Sequence, residues 1–173
     1  MSTALTTTIN DVNINAVASL AEKIQQEPNV AETKWSAQVQ WKGGFRSEAK
    51  IRDFAAVVSD EPDALGGTDT GPNPVEQLLA ALGNCLAVGY AANATAAGIT
   101  INALDIELEG NLDLHTFLGL SEGNAGYSDI PVNVNIDSDA SSEALQVLHD
   151  KVVNTSPVGH TMSRAVPVKI NLA

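Results

Sequence analysis

Cys85 is the one thiol in the 173-residue chain and the first residue to question for chemistry. It stands in Leu82-Gly83-Asn84-Cys85-Leu86. At helical steps of four and three it shares a stripe with Leu78, Leu82 and Gly89. Two readings compete. Among leucines, a free cysteine serves as a small buried hydrophobe. As a nucleophile it must ionise, and the thiolate then needs a local cation. Cations are scarce, with Lys+Arg 9 against Asp+Glu 21 and a formal charge of −12. Lys42, Arg46, Lys50 and Arg52 cluster in one stretch, and His160 and Arg164 lie near the C-terminus. A single cysteine excludes an intrachain disulfide and a Cys-rich metal site.

The remaining constellations carry less. Ser156 with His160 four residues on suggests a hydroxyl nucleophile and a base, but no orienting acid or nucleophile-elbow pattern accompanies them. Hydrolysis at Ser156 is therefore the remote reading. His115, His149 and His160 lack metal-ligand spacing, so neither a metal nor a cofactor is expected. Gly66-Gly67 to Gly71 lacks the Lys-Ser/Thr ending of a phosphate loop. Glu76 has a sufficient structural role beside a helix N-terminus. So acidic a chain has no electrostatic basis for gripping nucleic acid or an anionic membrane. No uninterrupted apolar run reaches the roughly 18–20 residues that span a bilayer. Met1 to Thr8 has neither a basic stretch nor an apolar core, so a secretory signal is not expected and the cytoplasm is.

The elements that must position these residues follow from periodicity. Residues 1–9 read as a loose polar arm. From Asp11, the residues Ile14, Val17, Ala18, Ala21 and Ile24 form one helical face, with Pro28 beyond its end. Trp35, Ala37, Val39 and Trp41 alternate, Gly43-Gly44 turns the chain, and Phe45 to Val58 reads as a second strand. Residues 59–74 hold three prolines and read as a loop, with Pro74 placed for a first helical turn. Val75 to Ala97 has one charge, Glu76, and reads as a helix buried all round. Gly83 and Gly89 inside it each cost about 1 kcal/mol relative to Ala, which a close approach by a neighbouring element offsets. Gly98 ends it. Alternation marks strands over Ile101–Leu114, Ile130–Ile136 and Val166–Leu172, and Leu145, Leu148 and Val152 mark a helix that stops before Pro157. The fold class is α+β, with antiparallel groups of strands against one long helix.

Gly66-Gly67-Thr68-Asp69-Thr70-Gly71-Pro72-Asn73-Pro74, followed by Glu76-Gln77-Leu78-Leu79-Ala80-Ala81-Leu82-Gly83-Asn84-Cys85-Leu86, resembles the OsmC/Ohr family. Gly110 to Leu114, Phe117 to Leu120 and Ser156-Pro157-Val158 extend the likeness over about residues 34–173. On this reading 1–33 is an added arm and helix, and 34–173 the family domain. The resemblance implies an intertwined homodimer, with antiparallel sheets wrapped around two long central helices. Gly83 and Gly89 would then lie where overpacking disrupts the dimer. It also implies a thiol peroxidase acting on organic hydroperoxides or hydrogen peroxide. Cys85 matches the peroxidatic cysteine, and Arg46 resembles the hairpin arginine that orients the thiolate. Val75 stands where a glutamate often holds that arginine, with Glu76 one residue later, about 100° around the helix. Ser156 stands where the resolving cysteine belongs. A serine forms no disulfide, so an external thiol reductant must resolve the Cys85 sulfenic acid. The alternative is a non-catalytic dimer of the same fold that binds a small apolar molecule, with Cys85 as packing.

Overall fold

The computed structural model describes residues 8–172. Most of the expected N-terminal arm, and with it the signal-peptide reading, lies outside them. The chain forms two compact units, residues 15–78 and residues 1–14 with 79–173.

In the first unit, helix α1 (Ile14–Gln26) follows a turn in which Asn10 and Asp11 adopt positive φ, so it begins three residues later than the periodicity predicts. None of its residues is buried. Strands β1 (Gln38–Gly43) and β2 (Arg46–Lys50) form the expected hairpin, with Val39 opposite Ala49 and Trp41 opposite Ser47. The expected long second strand is broken. Arg52 takes φ 48°, the Phe54 N–H bonds to the Ile51 carbonyl and Lys50 Nζ donates to the Phe54 carbonyl at 2.6 Å. The chain therefore turns back as β3 (Val57–Ser59), antiparallel to β2. Period-2 side chains give this three-stranded sheet one apolar face, with Val39, Trp41, Ala49 and Val57, and one polar face. Trp41 is 76% exposed.

The loop after β3 is knotted around Asp60, a residue that periodicity gives no reason to single out. Its side chain is 1% exposed. Oδ2 accepts from the N–H and hydroxyl of both Thr68 and Thr70, and Oδ1 accepts from the Glu61 N–H. The Thr68 hydroxyl above all, with the Thr70 hydroxyl and the N–H groups of Glu61 and Thr70, holds this carboxyl far below the usual carboxylate range, against the cost of desolvation. Gly67 closes the knot because a Cβ there would lie 1.8 Å from the Glu61 carbonyl oxygen.

Helix α2 (Pro74–Ala97) opens with a reciprocal capping box: Asn73 Oδ1 accepts from the Glu76 N–H at 2.9 Å, and Glu76 Oε2 accepts from the Asn73 N–H at 2.8 Å. It closes as expected at Gly98 (φ 73°), with Ile99 N–H bonded to the Ala94 carbonyl and Gly98 N–H to that of Thr95.

The second unit packs one face of α2 on a two-stranded antiparallel sheet, β4 (Ile101–Leu108) and β5 (Val132–Ser138). Leu104, Ile106 and Leu108 stand opposite Ile136, Val134 and Val132, facing the core of Leu82, Leu86, Tyr90, Ala94, Leu148 and Val152. A bulge between Ile101 and Ala103 resets the phase, so Ile101 and Leu104 both point inward despite their spacing. The first of these strands ends six residues earlier than alternation suggests. Residues Leu114–Phe117 form a short helix, α3, whose N-cap Asp113 accepts from the His115 N–H. Helix α4 (Ser142–Thr155) carries Leu148 and Val152 inward, as expected, and Pro157 starts a further short helix, α5 (Pro157–Met162). Residues 166–172 alternate as predicted but pair with no strand among the described residues, and Ile170 is 91% exposed.

Two features of α2 bear on its surroundings. Length and composition alone would let it cross a bilayer, although its one buried face belongs to this core. The helix is also not covered all round within the chain, because Ala81, Asn84 and Val88 face outward, Val88 being 69% exposed. Its glycines do serve close approach, but to the same chain. A Cβ on Gly83 would lie 2.8 Å from Leu108 Cδ1, and one on Gly89 2.9 Å from Val152 Cγ1.

These neighbours differ in their freedom to yield. Leu108 Cδ1 is the end of a side chain that can rotate away, so Gly83→Ala is expected to be neutral or stabilising by up to about 1 kcal/mol. Val152 is β-branched and 1% exposed, so Gly89→Ala is expected to cost about 1–2 kcal/mol. Urea midpoints of the two variants check the order. Asp60 gives a prediction with a defined sign. Its folded carboxyl stays ionised where the unfolded chain's, at about 3.9, takes up a proton. The stabilisation is therefore full at neutral pH and fades as pH falls below about 4. Asp60→Asn is expected to lower the melting temperature at neutral pH by about 5 °C, and the gap to the parent narrows in acid.

Candidate functional site

The site begins where α4 cannot continue. Pro157 has no N–H to donate, and its ring drives the preceding residue out of helical geometry. Ser156 accordingly has φ −70° and ψ 114°, capping the end of α4 and the start of α5 together. Its Oγ accepts from the Gly159 N–H at 3.1 Å. It is 5% exposed. Cys85, half-buried on α2 beside Leu82 and Leu86, brings its Sγ to 3.3 Å from Ser156 Oγ. The buried serine at the start of α5 thus touches the chain's one thiol.

Either atom can be the donor in this contact. Ser156 Oγ already accepts from Gly159, which leaves its hydroxyl proton free to donate. The same engagements argue against hydrolysis at Ser156. The His160 N–H bonds the Ser156 carbonyl at 2.9 Å, but among the described contacts no bond joins the Ser156 hydroxyl to the imidazole, whose Nδ1 is instead 3.1 Å from an Arg164 guanidinium nitrogen.

Arg46 and Glu76 belong to the other compact unit. Arg46 opens β2 opposite Gly43 and is exposed. Glu76 is occupied in the capping box of α2, the structural role its position suggests. Among the described residues, no three His, Cys, Asp or Glu side chains gather as a metal-binding group.

A feature absent from the sequence reading lies on the far side of Ser156. A cavity of about 510 Å³ opens between α2, β5, α4 and α5, walled by Leu82, Leu86, Val132, Val134 and Val153 and bordered by Ser156. Tyr90, 2% exposed, and His149 also line it, with the Tyr90 hydroxyl 2.5 Å from His149 Nδ1. Burial pushes the Tyr90 phenol above its ordinary value. Little in the sequence signals this pair, since Tyr90 is one of several polar residues along α2.

Comparison with known proteins places these elements. No curated protein matches the chain by sequence. Among solved structures, an OsmC-like protein from Mycoplasma pneumoniae superposes with a TM-score of 0.67 at 21% identity, covering 78% of this chain and 90% of that one. An organic hydroperoxide resistance protein OsmC from Legionella pneumophila gives a TM-score of 0.55 at 15% identity, covering 76% and 91%. An organic hydroperoxide resistance protein from Elizabethkingia anophelis, with thiocyanate bound, gives 0.56 at 17%, covering 76% and 90%. At these identities the likeness shows the fold alone. The sequence model for OsmC-like proteins, however, matches residues 67–171, a stretch that includes α2, Cys85, both core strands and Ser156. The chain belongs to the OsmC-like family.

Proposed function

We propose that the protein is a one-cysteine thiol peroxidase that reduces organic hydroperoxides or hydrogen peroxide. The observation that carries this reading is the 3.3 Å contact between Cys85 and Ser156. The Cys85 thiolate attacks the terminal peroxide oxygen, the O–O bond breaks, and the alkoxide takes a proton to leave as the alcohol. Cys85 is then a sulfenic acid. An external thiol attacks its sulfur, releasing water and leaving a mixed disulfide. A second thiol attacks that disulfide and frees Cys85. Peroxide and two thiols become alcohol (or water, from hydrogen peroxide), disulfide and water. Arg46 is proposed as the thiolate's cation on the family resemblance, with Glu76 as a supporting residue. Residues 1–33 are proposed as an addition to the family domain at 34–173. A lone redox thiol suits a reducing compartment, which supports the cytoplasm.

A second reading keeps the fold and drops the chemistry, with Cys85 as packing and a small apolar molecule as ligand. Ser156 favours it to the extent that capping α5 is reason enough for a serine.

Uncovered apolar surface supports a homodimer. Ala81 and Val88 on the outward face of α2, Val39, Trp41 and Val57 on the hairpin sheet, and Val166, Val168, Ile170 and Leu172 are all apolar and exposed. A homodimer with a total interface above about 2,000 Å² would cover such surface. Sedimentation at micromolar concentration is expected to give twice the 18.0 kDa chain mass. A folded monomer would exclude the dimer. Trp35 and Trp41, 78% and 76% exposed in the single chain, provide a second readout, since their emission should shift to the red on dissociation.

The reaction is tested by consumption of cumene hydroperoxide with dithiothreitol as the external thiol. Cys85→Ser is expected to abolish turnover and Arg46→Ala to lower it by about 10²-fold or more. Ser156→Cys is expected to form an intrachain disulfide with Cys85 after one equivalent of peroxide, seen as a loss of two thiols. Peroxide consumption equal in parent and Cys85→Ser would leave packing as the role of the thiol.

A further inference from the structure

The cavity beside Ser156 has two imidazoles at its edge, and their tautomers can be read from their partners. Arg164 can only donate, so His160 Nδ1 accepts at 3.1 Å and the neutral ring carries its proton on Nε2. The Tyr90 hydroxyl, buried among apolar side chains, has His149 Nδ1 as its partner at 2.5 Å. Donating to that nitrogen satisfies the phenol proton and again leaves the imidazole proton on Nε2. Neither Nε2–H has a partner among the described residues, and both rings line the cavity. His149 is exposed and His160 partly so, whereas Leu82 and Leu86 are buried, so the donors stand at the mouth and the apolar wall lies within. Arg164 adds a positive charge beside His160, in a chain whose net charge is −12.

We propose that this cavity binds a medium-chain carboxylate, its head held by the Nε2–H groups of His149 and His160 and its chain lying along Leu82, Leu86, Val132 and Val134. Its volume of about 510 Å³ falls within the range of small-molecule sites, roughly 300–1,000 Å³. An anion fits this mouth better than a neutral or cationic head, since both imidazoles that line it offer donors and the Arg164 guanidinium sits behind one of them, at His160 Nδ1. The site does not depend on the proposed reaction, because none of these groups is the sulfur.

Calorimetric titration of the full chain with hexanoate, octanoate, octan-1-ol and octylammonium tests the assignment. Octanoate is expected to bind about tenfold more tightly than octanol, and octylammonium more weakly than either. Each added methylene tightens carboxylate binding about threefold to fourfold. His160→Leu, which leaves the Tyr90–His149 pair intact, is expected to remove most of the octanoate advantage while sparing octanol. Val153→Trp, at a half-exposed position on the wall, should weaken every ligand. Cys85→Ser should weaken none, so failure of the peroxidase reading is distinguishable from failure of this one. Equal affinity for octanoate and octanol, no heat with any ligand, or binding indifferent to Val153→Trp would overturn the proposal.

Discussion

A helix of 24 residues whose only charge is Glu76 cannot be left in water, and covering α2 is the constraint on which the other elements depend. Along Leu82, Leu86, Tyr90 and Ala94 it meets a sheet whose inward pairs from Leu104 to Leu108 are aliphatic and an α4 that contributes Leu148 and Val152. Glycine at 83 and 89 lets Leu108 and Val152 close on the helix backbone, at the cost of helix propensity. The termini of α2 are closed by the Asn73–Glu76 box and the Gly98 motif. The face at Ala81 and Val88 remains open within one chain, which is the physical basis of the proposed dimer.

The proposed chemistry depends on a discontinuity in the same core. Pro157 interrupts what would otherwise be one helix, and the interruption leaves Ser156 buried with its hydroxyl against Cys85. One residue caps a helix, walls a cavity and touches the sulfur. A continuous α4 would have carried that side chain past the thiol, with its oxygen tempted by a carbonyl one turn back. In a two-cysteine relative, a sulfur at this position could close on the first; an oxygen can only hold or polarise it. That difference is why the proposed cycle must turn to an external thiol.

Long, strongly periodic elements were legible in the sequence. The α2 helix, its stop at Gly98, the hairpin at Gly43-Gly44 and the paired alternation of β4 and β5 all follow from spacing. Short-range chain reversals were not, because local hydrogen bonds decide them. The turn at Ile51–Phe54 rests on Arg52 in a left-handed conformation, and α3 on the Asp113 cap, neither of which disturbs the apolar pattern enough to be seen. Asp60 was missed because its five donors come from a loop whose fold no period describes. Residues 166–172 show the opposite failure. Their alternation is a real strand signal, but a strand needs a neighbour, and none of the described strands pairs with them. Of the candidate site, Cys85 and Ser156 were named from sequence and are in contact; the cavity with Tyr90 and His149 arises from packing between four elements and left only a trace in the chain.

The central proposal is that Cys85 is the reacting nucleophile and that the Ser156 hydroxyl engages its sulfur. The rate of iodoacetamide alkylation of Cys85 at neutral pH, in the parent and in Ser156→Ala, tests it most directly. The account predicts that folded Cys85 reacts faster than the same thiol in the urea-unfolded chain, and that the substitution slows it. A Cys85 that resists alkylation in the folded protein, or a rate that Ser156→Ala leaves unchanged, would contradict it.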